Sequence, residues 1–152
     1  MIRTDEVALL ESGTSLVVGT VDDDGMPDAA RAWSAKVDGD HLRLLLPATA
    51  TPTVDNLRAG GAVAVTATMV DTLRSLQLKG RALAVEPATD DDRARMATYV
   101  DAFFENVHRT DGSAVERLRN LLPDNVVAVV CTVEHVFDQT PGPRAGSRLA
   151  PT

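Results

Sequence analysis

Aromatic side chains are almost missing from this chain: three Phe, one Trp and one Tyr make up 3% of 152 residues. A core of that composition has to be filled by Val, Leu and Ala, which make up much of the 44% hydrophobic fraction. One cysteine excludes an internal disulfide, and no basic-plus-apolar leader precedes the acidic start Thr4-Asp5-Glu6. The expected address is the cytoplasm. No apolar run approaches the roughly 20 residues of a membrane span, the longest being Val126 to Val133. Positive charge is also short. A net charge of −7 with scattered cations argues against a nucleic-acid partner, because counterion release requires a basic face. Neither a metal-ligand spacing among His41, His108 and His135 nor a Gly-x-Ser-x-Gly turn is present. Metal chemistry and serine hydrolysis are therefore not expected, and no catalytic residue is singled out.

What the chain does have is turn chemistry between β-rich segments. Asp22-Asp23-Asp24-Gly25-Met26-Pro27 separates Ser15–Val21 from Asp28–Val37, and Asp38-Gly39-Asp40 leads into His41–Leu46, so three antiparallel strands follow one another. A second pair is expected at Ala62–Val70 and Arg74–Val85, and a last, nearly continuous apolar strand at Val126–Phe137. Helices are expected from Arg3 to Glu11 with Thr4 as cap and from Pro52 to Ala59. A longer one follows Thr89, with Met96, Val100, Phe103, Phe104 and Val107 at helical spacing, and a short one follows a Ser113–Glu116 capping box. These elements predict a mainly β domain with inserted helices, an antiparallel six-stranded split or closed barrel spanning 1–139. The Pro/Gly-rich segment 140–152 reads as an arm or flexible end.

Leu42 to Gly60 carries the strongest functional signal. An apolar strand breaks into a hydroxyl-rich loop, Thr49 to Thr53, where Thr51 is placed to cap a helix and Pro52 to occupy its first position. Exposed amides there favour a phosphate. Arg31 and Lys36 are candidate cations for it, although five positions along a regular strand put them on opposite faces unless a bulge intervenes. Gln77 lies on the polar side of a strand whose leucines are Leu76 and Leu78. Trp33 is expected to plug the core or an interface, and Cys131, among valines, to be an inert core thiol.

Taken in order, Gly19-Thr20-Val21, Gly25-Met26-Pro27, Arg31-Ala32-Trp33-Ser34-Ala35-Lys36, the Thr49–Thr53 loop and Gln77-Leu78-Lys79-Gly80 resemble the FMN-binding split-barrel family that includes the pyridoxamine 5′-phosphate oxidases. The resemblance implies a Greek-key split barrel and a homodimer with FMN at the interface. It places Arg31, Ala32, Trp33 and Lys36 along the flavin and its phosphate, Thr49, Thr51 and Thr53 at the phosphate loop, and Gln77 at the ring or ribityl chain. The implied activity is hydride or electron transfer with a small-molecule substrate. Two alternatives share the fold: a reductase using the deazaflavin F420, and a non-catalytic flavin- or haem-binding module. The chain departs from the family in lacking a C-terminal Arg-x-His element, which argues against vitamin B6 oxidation, and in lacking a lysine in the phosphate loop.

Overall fold

The computed structural model describes residues 2–150. In chain order the elements are α1 (Thr4–Glu11), β1 (Ser15–Val21), β2 (Pro27–Ala32), β3 (Ala35–Asp38), β4 (His41–Pro47), α2 (Thr51–Arg58), β5 (Ala62–Thr68) and β6 (Ser75–Pro87). They continue with α3 (Asp90–Asp111), α4 (Val115–Arg119), β7 (Val126–Thr132), β8 (His135–Asp138) and β9 (Ser147–Arg148). The strands are joined in the order β2-β1-β5-β6-β7-β4-β3, every pairing antiparallel. Because β2 and β3 are consecutive, the two ends of that path are one chain segment. Trp33 N–H donates to Leu45 O at 2.8 Å and Leu45 N–H to Ser34 O at 3.2 Å, tying the joint to β4 and closing the barrel.

The expected six strands are present, and the structure divides two of them. The segment 28–37 breaks at Trp33–Ser34 into β2 and β3, because one half pairs with β1 and the other with β4. The segment 126–137 breaks at Val133–Glu134 into β7 and β8, both lying along the same edge of the 13-residue β6. At that bend the backbones nearly touch. A Cβ on Gly80 would stand 1.9 Å from Thr132 O, so only glycine permits the crossing. The tail folds back rather than standing free: Ser147–Arg148 pairs with β8, and Leu149 N–H donates to Val136 O at 2.8 Å. Pro151 and Thr152 lie outside the described residues.

Alternation sorts the strands into faces. Leu16 and Val18 of β1, Val65 and Ala67 of β5, and Leu76 and Leu78 of β6 are buried in the barrel, as an aliphatic core requires. Cys131 is buried among them, and desolvation pushes its thiol up to about 12, leaving no thiolate at neutral pH. Trp33, Val100 and Phe104 form a second cluster, in which the Trp33 and Phe104 rings meet edge-on at 6.1 Å.

Three helix starts differ from the expectation. Arg3, not Thr4, flanks α1, its N–H donating to Glu6 Oε2 at 2.8 Å. Ala50 flanks α2, because the first turn already closes with Val54 N–H on Ala50 O at 2.9 Å; Thr51 is the first helical residue and Pro52 the second. At α4 the cap position is Ala114 and no side chain caps it, since Ser113 N–H is instead bound to Asp111 Oδ1 at 2.8 Å.

α3 starts as its sequence predicts. Thr89 Oγ1 accepts Asp92 N–H at 3.1 Å while Asp92 Oδ2 accepts Thr89 N–H at 2.9 Å. The same buried carboxylate receives Arg43 from β4 in a fork, Nε at 2.9 Å and Nη2 at 2.7 Å, and Arg95 at 2.6 Å. The Arg43 guanidinium holds the Asp92 carboxyl well below the usual carboxylate range. Asp92→Ala is therefore expected to cost about 3 kcal/mol, seen as a midpoint about 10 °C lower in thermal unfolding. A carboxyl whose folded value is depressed stabilises the protein above its unfolded value. The wild type should thus lose this contribution as the pH falls below about 4, and Asp92→Asn should flatten that part of the stability–pH curve.

Candidate functional site

Strand register assembles the site. On the outer face of the sheet, opposite the core, Arg31 pairs with Val17, Val17 with Thr66, Thr66 with Gln77 and Gln77 with Phe137, forming a row across five strands. The neighbouring row runs Ala29, Gly19, Ala64, Lys79 and His135. Three adjacent strands thus present nothing larger than a methyl group. The result is an open groove of about 760 Å³ whose floor contains Gly19, Ala29 and Ala64 and whose edges include Asp28, Lys79 and Glu134. Its polar flank is ordered, with Gln77 Nε2 donating to Thr66 Oγ1 at 3.1 Å, and Lys79 Nζ lies 5.0 Å from the Phe137 ring centroid.

α2 packs from the core side of the same strands, with Thr53, Val54 and Leu57 buried, and its contacts to the groove's lining run through Thr20 and Asp28, which alternate with Gly19 and Ala29. Asn56 Nδ2 donates to Thr20 Oγ1 at 3.0 Å and the Thr53 hydroxyl donates to the Asp28 carboxylate, and Thr20 and Asp28 both line the groove. Of the hydroxyls in the loop, Thr53 is fully buried, while Thr49 and Thr51 are exposed. Thr51 Oγ1 donates to Thr49 O at 3.4 Å. Asp28, 25 positions before Thr53, therefore places a negative charge where sequence reasoning put an anion.

Of the residues expected at the site, Gln77 lies in the row beside this groove and Thr53 reaches one of its lining residues, Asp28, while Thr49 and Thr51 sit at the exposed start of α2 and the remaining candidates stand apart. The break at Trp33–Ser34 shifts the strand phase, so Arg31 and Lys36 both face outward despite their five-residue spacing. They diverge all the same. Lys36 Nζ pairs with Glu11 of α1 at 3.1 Å, whereas Arg31 Nη1 donates to Ser15 Oγ at 3.1 Å and its guanidinium turns towards Trp33 and Phe103. Ala32 and Trp33 are buried. Sequence reasoning missed Ala29, Gly19, Ala64 and Lys79 as a group: Gly19 and Lys79 lie in segments that carry the family resemblance but have no role assigned to them, and Ala29 and Ala64 carry no local motif. Only the pairing of alternate residues across two hairpins, β1–β2 and β5–β6, and the long-range β1–β5 ladder between them reveals them.

Residues 4–139 match the family model of pyridoxamine 5′-phosphate oxidase. The chain belongs to that family. Among solved structures, HupZ of group A Streptococcus is 16% identical, with 96% of this chain and 100% of that chain covered at a TM-score of 0.59. A Lactobacillus delbrueckii protein described as a pyridoxamine 5′-phosphate oxidase is 24% identical (89% and 93% covered, TM-score 0.55), and an F420 reductase 22% identical (85% and 93%, TM-score 0.55). At these identities the likeness is one of fold. No curated protein matches the chain. For this member of the pyridoxamine 5′-phosphate oxidase family, no helix among the described residues is long and apolar enough to cross a membrane. Nor do those residues hold a group of three or more His, Cys, Asp or Glu arranged for a metal.

Proposed function

We propose that this protein is an FMN-binding flavoprotein of the cytoplasm, with residues 1–139 as its binding unit, that passes hydride or electrons between a reductant and a small molecule. The observation that carries the reading is the row Ala29–Gly19–Ala64, a floor flat enough for a tricyclic ring, beside Thr66 and Gln77. The ring end fits these residues well: methyl-sized side chains offer a contact surface, and the ordered Gln77 amide offers both a donor and an acceptor. The phosphate end is provided with the exposed hydroxyls of Thr49 and Thr51 and the first amides of α2, opposed by Asp28. FMN supplies the redox chemistry when bound. The chain's part is to hold the ring flat, orient it through Gln77 and keep water from its covered face.

Val17 and Val21 are 41% and 39% exposed on the same outer face, so a second copy seated there would bury them and cover the groove. A homodimer with the cofactor at its interface follows. F420 is the second reading, on the shared fold of the F420 reductase, and its long anionic tail calls for a more basic groove than one edged by Asp28, Glu134 and a single lysine, Lys79. A haem module is less well supported, because no histidine or cysteine lines the groove among the described residues.

The test is the visible spectrum of protein purified without added cofactor, the identity of the molecule released on denaturation, and the mass in solution. A flavin spectrum, released FMN and a dimer are expected. Colourless protein whose melting point rises with F420 and not with FMN would move the assignment to the deazaflavin, a Soret band to haem, and stabilisation by none of them would remove the reading. Asp28→Asn keeps an acceptor for the Thr53 hydroxyl and removes the opposing charge. It should tighten FMN binding roughly tenfold in a fluorescence titration.

A further inference from the structure

Three of the chain's five aromatic residues, Trp33, Phe103 and Phe104, line a single cavity of about 290 Å³. It lies between the end of β2 and the helices α3 and α4, outside the groove. Leu118 and Leu121 on the α4 side form part of its wall, and Leu121 is 63% exposed, a large apolar side chain with little of its surface covered. Phe104 is wholly buried and Trp33 nearly so, forming the cavity's inner wall, and Phe103 is the half-buried ring at its mouth.

One cation stands in it. The Arg31 guanidinium carbon lies 5.7 Å from the Trp33 ring centroid and 5.6 Å from that of Phe103, so two aromatic faces hold the planar group in place. Its bond to Ser15 Oγ, 3.1 Å long, engages only one nitrogen, Nη1. Among the described residues no carboxylate comes within ion-pair distance of Arg31, and its other side-chain donors have no protein partner. A guanidinium orders its donors as a fork that matches a carboxylate, and an oriented, unpaired fork beside an aromatic cavity favours a ligand carrying both groups. The one acidic side chain at the cavity, Asp111, already accepts Ser113 N–H at 2.8 Å. Its charge weighs against a phosphate monoester, which carries nearly two negative charges and would have Arg31 alone to balance them. A volume near the lower end of the usual 300–1,000 Å³ range for ligand sites suits one ring with a short acid chain.

We propose that this cavity binds an aromatic carboxylate, with the acid on Arg31 and the ring against Phe103, Leu118 and Leu121. Binding itself requires no cofactor. That the ligand is the redox substrate rests on the flavoprotein reading: Arg31 ends the row that leads through Val17 and Thr66 to Gln77, which sets the cavity beside the proposed ring site.

The full-length protein is titrated with 3-phenylpropionate and, separately, with its neutral amide, 3-phenylpropionamide. Calorimetry and the emission of Trp33, the single tryptophan, report binding. The acid should bind about tenfold more tightly than the amide and change the Trp33 emission. Arg31→Met, which keeps an unbranched apolar side chain against the rings, should abolish that preference while leaving amide binding unchanged. Asp111→Asn, at an exposed position, should tighten acid binding a few-fold. Absence of binding, equal binding of acid and amide, or an undiminished preference in Arg31→Met would each overturn the proposal. A protein that binds the acid but purifies without any flavin or deazaflavin would retain the site and discard only its redox role.

Discussion

Gly80→Ala is expected to destabilise the protein by more than about 4 kcal/mol, enough to leave little folded chain at 37 °C. The argument is geometric. Gly80 lies on β6 where β7 bends into β8, and the atom an alanine would introduce falls 1.9 Å from Thr132 O and 2.8 Å from Thr132 C. Both neighbours are main chain, so no rotamer change relieves the overlap, and moving either strand breaks pairing on both sides of the bend. Thr132 is pinned there as well: its hydroxyl accepts Arg81 N–H at 3.2 Å. Thermal and urea unfolding followed by circular dichroism measure the cost. A midpoint within a few degrees of wild type would mean that the bend is softer than this geometry allows.

The second large effect concerns binding and leaves the fold alone. At Gly19 the introduced Cβ would have its nearest neighbour, Ala64 O, at 3.8 Å, an ordinary contact, and the backbone is not in the left-handed region. Gly19→Leu should therefore fold, and a strand interior prefers almost any side chain to glycine. The rest of the leucine projects outward from the middle of the Ala29–Gly19–Ala64 row and fills the groove. Cofactor affinity should fall by at least about 100-fold, the scale of a few kcal/mol of lost contact and steric exclusion, with a melting point close to that of the apo wild type. The flavin-to-protein absorbance ratio after purification reads the result. Full retention of cofactor would place the ring elsewhere.

Local chemistry was legible in the sequence where one segment decides its own conformation. The Asp22–Pro27 turn forms with Asp22 Oδ1 accepting the N–H groups of Asp24 and Met26, and α3 begins at its Thr89–Asp92 box. The antiparallel barrel followed from the count and order of such segments. The breaks at Trp33–Ser34 and Val133–Glu134 were not legible, because β-branched and apolar residues run through or flank both and no glycine or proline marks them. They arise from which neighbour each half pairs with, a tertiary decision.

The candidate site divides in the same way. The hydroxyl loop and its helix were visible as a local pattern, and Gln77 was correctly set on the face opposite Leu76 and Leu78. Asp28 at the head of α2, and the divergence of Arg31 from Lys36, depend on strands and helices brought together from distant positions. Spacing within one segment cannot encode them.

β6 runs for 13 residues with β5 along one edge and β7 and β8 along the other, so both halves of the barrel hang on a single strand. Neither half can open without breaking the ladder they share. Amide protons in the middle of β6 are thus expected to exchange with solvent only through whole-molecule unfolding, while β9 and α4, each tied on by a few bonds, open alone. Motion that admits a ligand has to be found at that periphery, in a barrel that otherwise behaves as one cooperative unit.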